Sequence, residues 1–352
     1  MVETLAILSK LAEVPGPSGR EHAARQTIET YWSPLSDEIR NDALGNCIAL
    51  KKGTGAEPRP ALMIAAHMDE IGLIVTGYEG EFLRVHALGG MDRRVLLGLQ
   101  VTVHGKRDLP GIIGTRPPHV LPPEKRRQLA PWEGIFIDLG YPADEVRDLV
   151  QIGDHVTIAR PLVALKNDRV AGKALDNRAS VTAVTLTLES LQQQRHLWDV
   201  YAVATVQEEI GAVGALTGAY SLRPNLAITL DVTFAQQHDD GGPGTFELNQ
   251  GPTIGIGPNF HPHIVQRLKE AAQAEEIPYQ IEVLPGSSGT DAWRIQIARE
   301  GIPSGLLSIP IRYMHQPVET ACLKDIERTA RLLTCFIRRL EANYRPQWED
   351  EA

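Results

Sequence analysis

The feature that most constrains the fold of this chain is an unbroken apolar run at residues 61–66, which stops at His67. Six apolar residues in a row, preceded by a turn rich in Gly and Pro, are typical of a strand that is buried on both faces. A strand of this kind needs helices packed on either side of its sheet. The run therefore predicts an α/β architecture.

Helix and strand patterns alternate again from residue 173 onward, which extends the same prediction. The predicted strands are 201–206, 226–230 and 306–309, and the predicted helices are 178–194, 211–221, 263–275 and 322–343. Near the N-terminus, two helical stretches flank a loop at 15–19, where Ser18 and Glu21 have the spacing of a capping box. We expect an α/β sheet with helices on both faces.

Residues 71–163 depart from this alternation, because short β-branched segments alternate with turns and no long amphipathic helix is visible. Such segments predict a small β-rich domain. We therefore expect a discontinuous catalytic α/β domain at 1–70 and 164–352, with an inserted β-rich domain at 71–163.

Composition narrows the class of function. The net charge is −9 and aromatic residues make up only 5% of the 352 residues, which argues against a nucleic-acid or membrane-surface partner. No stretch reaches the ~20 apolar residues of a membrane span. Three widely spaced cysteines indicate a reducing compartment rather than a disulfide framework. Because no signal peptide is visible either, we expect a cytoplasmic protein.

Polar residues that could carry chemistry stand where predicted strands end. They are His67, Asp69, Glu208, Glu209, Asp231 and His315, together with Asp176 just before a helix. Ligands of open α/β sheets bind beyond the carboxyl ends of the strands, so these side chains should converge. Imidazoles and carboxylates without cysteine suit divalent first-row metals. Two ions could be held if one carboxylate bridges them, and a further carboxylate could act as general base.

Each of these signals has an ordinary structural explanation when it is taken alone. His67 and Asp69 form a common spacing, and Glu208 and Glu209 could complement a helix dipole. Asp231 could cap a helix, and His315 could be an ordinary surface or core histidine. Their shared position at strand ends is what favours a site.

Seven motifs in order carry a resemblance over nearly the whole chain. They are PGPSGRE (15–21), AHMDEIG (66–72), ALDNR (174–178), QEEIGAVGA (207–215), DVT (231–233), GTDA (289–292) and RYMHQPVE (312–319). In this order they resemble the tetrahedral (TET) aminopeptidases, dinuclear-metal peptidases that include glutamyl aminopeptidases and members labelled endoglucanase. The resemblance implies a phosphorylase/hydrolase-like mixed sheet with helices on both faces. It also implies that the insertion is a β-barrel dimerisation domain.

The resemblance also implies a role for each residue of the site. His67 and Glu209 would bind one divalent ion, Asp231 and His315 would bind the other, and Asp176 would bridge them. Glu208 would be the general base, and Asp69 would orient His67. Zn²⁺ is the expected metal, with Co²⁺ as the alternative. The Asp176–Asn177 peptide is expected to be cis, and Asp291 and Arg312 would contact substrate or support the site.

The expected activity is removal of N-terminal amino acids from peptides, by an oligomer of dimers that forms a tetrahedral dodecamer. An N-acyl amino acid deacylase using the same metals is an alternative. A glycosidase and a non-enzymatic metal-stabilised assembly are weaker alternatives. The preferred first side chain is left open, and it should depend on loops within 234–247 and 259–289.

Overall fold

The computed structural model describes residues 2–238 and 241–346. In chain order its strands are β1 (Glu38–Asn41), β2 (Cys47–Lys51), β3 (Ala61–His67), β4 (Gly72–Glu79), β5 (Phe82–Leu88), β6 (Gln100–His104), β7 (Asp108–Thr115), β8 (Ile135–Asp138), β9 (His155–Ile158), β10 (Val163–Ala164), β11 (Arg169–Gly172), β12 (Asp199–Thr205), β13 (Leu226–Phe234), β14 (Thr253–Ile256), β15 (Gln280–Val283), β16 (Ser304–Arg312) and β17 (Glu319–Cys322). Its α-helices are α1 (Val2–Glu13), α2 (His22–Trp32), α3 (Ala143–Leu149), α4 (Leu175–Leu191), α5 (Val213–Leu222), α6 (Pro262–Ala274), α7 (Asp291–Gln296) and α8 (Leu323–Arg338).

Eleven strands form one mixed sheet in the order β1-β2-β12-β3-β13-β16-β17-β11-β10, with β14 beside β16 and β15 beside β14. The central strands β12, β3, β13 and β16 run parallel to one another. Their carboxyl ends therefore meet at a single edge of the sheet. The prediction of a mixed α/β sheet is confirmed.

The apolar run of β3 is buried on both faces because alternate side chains enter two different cores. Leu62, Ile64 and Ala66 pack into the large core. Met63 and Ala65 pack into a smaller core on the opposite face. The helices α4 and α5 contact β3 from these two layers. A run without polar residues is therefore what this central position requires.

The inserted segment forms a closed barrel of six strands in the order β4-β5-β8-β7-β6-β9. It has a core of its own, separate from those of the large sheet. Closure leaves the barrel without a free sheet edge. The predicted inserted β-barrel is confirmed.

The predicted capping box at Ser18 is wrong. Helix α2 begins at His22, and Glu21 precedes it without a side-chain cap hydrogen bond. Glu21 Oε1 accepts instead from the Gly19 N–H (2.7 Å). Ser18 Oγ donates to Asp69 Oδ2 at 2.6 Å, because that carboxylate is fully buried and needs donors.

The three cysteines are free and buried, as their spacing predicts. None of the described helices combines the length and the apolar character of a membrane-spanning segment.

Candidate active site

The predicted residues converge at the carboxyl edge of the parallel strands. His67 ends β3 and pairs with Thr205 at the end of β12, three residues before Glu208. Asp231 lies within β13, directly opposite Ser308 of β16. These strand ends border a cavity of about 570 Å³. The predicted residues that line it are His67, Asp176, Glu208, Glu209, Asp231 and His315.

Asp176 lies between the two histidines and presents one carboxylate oxygen to each. His67 Nε2 is 3.0 Å from Asp176 Oδ1, and His315 Nε2 is 3.3 Å from Oδ2. The Asp176–Asn177 peptide is cis, which confirms that prediction.

Two further carboxylates, those of Asp231 and Glu209, each lie near one of the histidines. Asp231 Oδ1 lies 3.7 Å from His67 Nε2, and Glu209 Oε2 lies 3.6 Å from His315 Nε2. Ligand atoms of His67, Asp176 and Glu209 also fall within 4.8 Å of one another. The shortest of these distances pair His67 with Asp231 and His315 with Glu209. The resemblance implied instead that His67 shares an ion with Glu209, and His315 with Asp231.

The chemistry of this cluster fits a divalent cation. Asp176 Oδ1 is buried and accepts no hydrogen bond from the described residues, although His67 Nε2 lies 3.0 Å away. A buried carboxylate oxygen without a donor is costly, and a metal ion is one of the few groups that removes that cost. The donor set of imidazole nitrogen and carboxylate oxygen is one that Zn²⁺ and Co²⁺ accept.

Burial and mutual repulsion set the charge states of these acids. Burial raises the pKa of Glu208 to about 9, assisted by the carboxylates of Asp231 and Asp291. The pKa of Glu209 is raised well above its usual range, by burial and then by Asp176. Burial alone would also raise the pKa of Asp176, but the two adjacent imidazoles hold it well below its usual range. The cluster has more acids than cations, which again favours a bound cation.

Asp69 lies behind the cavity and holds the backbone of the Glu208–Glu209 segment. Its Oδ1 accepts from the Glu208 N–H (3.0 Å) and its Oδ2 accepts from the Glu209 N–H (3.1 Å). Its contact with His67 Nδ1 is longer, at 3.4 Å, and the Asp69 carbonyl oxygen is nearer to that nitrogen at 3.2 Å. Asp69 is therefore placed to position two acids of the site as much as the imidazole.

A second buried carboxylate, Glu319, does the same for two other residues and was missed from the sequence. Its Oε2 accepts from the Asp176 N–H (2.9 Å), and its Oε1 accepts from the His315 N–H (3.1 Å). Glu319 is only 2% exposed. Glu319 is the last residue of the motif at 312–319, and its place in that motif is the sequence feature that could have indicated its role.

The buried guanidinium of Arg178 holds the loop after β3 in place. Arg178 Nε donates to the Met68 carbonyl (2.8 Å), and its Nη1 donates to the Leu11 carbonyl. In the same loop Glu70 pairs with the buried Lys173, at 2.8 Å. These contacts fix the segment that carries His67 and Asp69.

The two residues expected to contact substrate lie outside the cavity lining. Asp291 is 1% exposed and accepts from Thr205 Oγ1 (2.5 Å), and burial raises its pKa to about 7. Arg312 Nε donates to the Gln236 carbonyl (2.6 Å). Their contacts in the structure are with other parts of the chain.

The barrel contributes two glycines to the wall of the site. A Cβ on Gly90 would lie 2.6 Å from His315 Nδ1, and one on Gly89 would lie 3.3 Å from Glu209 Oε2. Gly89 also has a φ of +83°, which an L side chain rarely adopts. The segment after β5 is thus tightly packed against two proposed ligands.

Substituting Gly90→Ala should lower kcat/KM roughly tenfold, because the imidazole of His315 must move to admit the methyl group. The matched control is Gly134→Ala, since a Cβ there meets only ordinary contacts of 3.5 Å or more. Both variants would be assayed with saturating metal, and their urea midpoints compared. Equal activity of the two variants would contradict the importance of this contact.

Comparison with known proteins gives consistent matches over almost the full length. Residues 45–332 match the model of the M42 glutamyl aminopeptidase family. A lysyl aminopeptidase from Pyrococcus furiosus is 37% identical over 343 residues, covering 95% of this chain and 97% of its own. The TET aminopeptidase from the archaeon Thaumarchaeota archaeon SCGC AB-539-E09 superposes with a TM-score of 0.90 at 32% identity, covering 97% of both chains. The TET1 peptidase of Pyrococcus horikoshii, which can assemble into a tetrahedron or a large octahedral shell, superposes with a TM-score of 0.84 at 30% identity, covering 96% of this chain and 100% of its own.

Proposed function

Because this chain belongs to the M42 glutamyl aminopeptidase family of hydrolases, we propose that it releases single amino acids from free peptide N-termini with the help of two divalent metal ions. The observation that carries the two-metal proposal is the position of Asp176. Each of its carboxylate oxygens faces a different histidine, at 3.0 and 3.3 Å. A single carboxylate placed in this way is suited to bridging two ions.

We assign the ligands from the close contacts. His67 and Asp231 would hold one ion, His315 and Glu209 would hold the other, and Asp176 would be shared. Bound ions would supply an acidified water and polarisation of the scissile carbonyl. Positioning of these ligands falls to Asp69 and Glu319, which accept hydrogen bonds from four backbone amides of the site.

Glu208 is our candidate for general base. It lines the cavity, and its Oε2 lies 4.0 Å from His67 Nε2. Among the described acids that line the cavity, the proposed ligand sets leave Glu208 and the more remote Glu282 unused. In its ionised form Glu208 would take a proton from the attacking water and pass it to the leaving amine. Cations at the five ligands would favour that ionised form.

We further propose that the barrel mediates dimerisation and that dimers build a larger shell. The support is the likeness to TET peptidases, of which the Pyrococcus horikoshii protein forms a tetrahedron or an octahedral shell. Sedimentation of the purified protein would give its mass directly.

The test of function is hydrolysis of aminoacyl-p-nitroanilides, each with a free and an N-acetylated amine. Zn²⁺- or Co²⁺-loaded protein should cleave only the free-amine substrates, and chelated protein should cleave none, because the water is acidified only by bound metal. Cleavage of the acetylated substrates would instead indicate a deacylase. Activity that survives complete chelation would contradict the metal-dependent mechanism.

A further inference from the structure

A buried carboxylate outside the ligand cluster, Glu282, also lines the cavity. Its Oε1 accepts from Thr233 Oγ1 and its Oε2 accepts from Thr253 Oγ1, both at 2.6 Å. The residue is 9% exposed. The proposed mechanism makes no use of it.

Within the part of the chain that the structure describes, Glu282 forms no ion pair with a cation. Its only hydrogen-bond donors in the described ranges are the two threonine hydroxyls. The described residues that line the cavity include two imidazoles, His67 and His315, but no Lys or Arg. A buried carboxylate held only by neutral donors is a favourable site for an incoming cation.

The strand register places a hydrogen-bond partner of Glu282 close to the proposed ligand Asp231. This partner, Thr233, follows Asp231 by two positions in β13, a separation of about 6–7 Å on the same strand face. Ser308 lies opposite both Asp231 and Thr253. Its hydroxyl oxygen is buried, lines the cavity and has no hydrogen-bond partner among the described residues. Polar side chains of the cavity lining thus extend from the ligand cluster to Glu282.

Apolar side chains form another part of the cavity lining. Leu284, Leu306, Met314, Trp293 and Val283 line the same cavity. An apolar lining with a buried acid beside it suits a side chain that has an aliphatic stem and a cationic tip. It disfavours Glu and Asp, which would bring a second negative charge to the carboxylate.

We propose that Glu282 binds the terminal cation of the substrate's first side chain, so that the enzyme prefers peptides that begin with Lys or Arg. This inference rests on the proposed aminopeptidase function and names its substrate class. Glu282 is then a specificity residue, distinct from the groups that act on the scissile bond. If it bound the α-ammonium group instead, its loss would slow every substrate equally.

The experiment compares kcat/KM for Lys-, Arg-, Leu- and Glu-p-nitroanilide between the wild-type enzyme and Glu282→Gln, both with saturating metal. Gln has the same shape and can still accept from one threonine, so the fold is retained, and urea midpoints would check this. The variant should lose about tenfold on Lys and Arg, the value of one charge-assisted hydrogen bond. Its activity on Leu should stay close to the wild-type value. The control is Glu81→Gln, an exposed acid in the turn between β4 and β5.

The possible results separate this inference from the function on which it rests. Preference for Lys and Arg that falls selectively in Glu282→Gln is the expected result. A wild-type preference for Leu or Glu with an unchanged profile in the variant would overturn the specificity inference and leave the aminopeptidase standing. Equal losses on all four substrates would also overturn it. No cleavage of any substrate by metal-loaded protein would overturn both proposals.

Discussion

Replacing Glu208 with Gln should lower kcat by about 10³-fold while leaving the metal content unchanged. The amide has nearly the same shape but cannot accept a proton from water. The ligands assigned above do not include Glu208, whose Oε2 lies 4.0 Å from His67 Nε2. The loss should therefore appear in the chemical step alone.

The measurement is single-turnover hydrolysis together with metal analysis of the same preparations. Glu81→Gln serves as the control, since it removes the same charge at an exposed position. A Glu208→Gln enzyme that keeps near wild-type turnover would show that another group takes the proton. A variant that loses its metal would show instead that Glu208 is a ligand.

Replacing Glu319 with Gln should weaken metal binding by about 10- to 100-fold, the usual cost of losing a group that orients ligands. The wild-type carboxylate accepts from the backbone amides of Asp176 and His315. In the variant the side-chain amide turns a donor toward one of these N–H groups. One of the two ligand segments must then shift, although no ligand has been changed.

Asp325→Asn is a matched control for this effect. Asp325 is also fully buried and also accepts from two backbone amides, those of Asn249 (2.6 Å) and Gly251 (2.8 Å). It does not line the cavity. Both variants should lose some stability, but only Glu319→Gln should lose affinity for Zn²⁺ in competition with a chromogenic chelator. Similar affinities in the two variants would contradict a positioning role for Glu319.

The parts of the fold that could be predicted are those with long, regular patterns. The run in β3 has no polar residue because both of its faces are covered, and that burial is visible in the sequence. The strands β14, β15 and β17 contain only four residues each, and α7 contains six. None of these four elements is among those predicted from the sequence.

The same distinction applies to the site. Residues such as His67 and Asp231 could be proposed because they stand at or near strand ends, a local property. Three other residues each contact a partner at a distant position in the chain, namely Glu319, Gly90 and Glu282. Ser18 shows the limit most clearly, because its spacing to Glu21 predicted a helix cap while its hydroxyl in fact binds Asp69, 51 residues away. The two metal ions follow from the resemblance and the grouping of their ligands from the close contacts, and both stay proposals.

The packing of Gly89 and Gly90 against the site has a consequence for how this protein can change over evolutionary time. An inserted module is often free to be exchanged or deleted while the host enzyme keeps working. Here the barrel supplies Gly90, and a methyl group added to that residue would collide with the imidazole of His315. A shortened chain with a simple turn in place of the barrel would keep every ligand but leave that imidazole unsupported. The glycine segment of the barrel must therefore stay matched to the host domain.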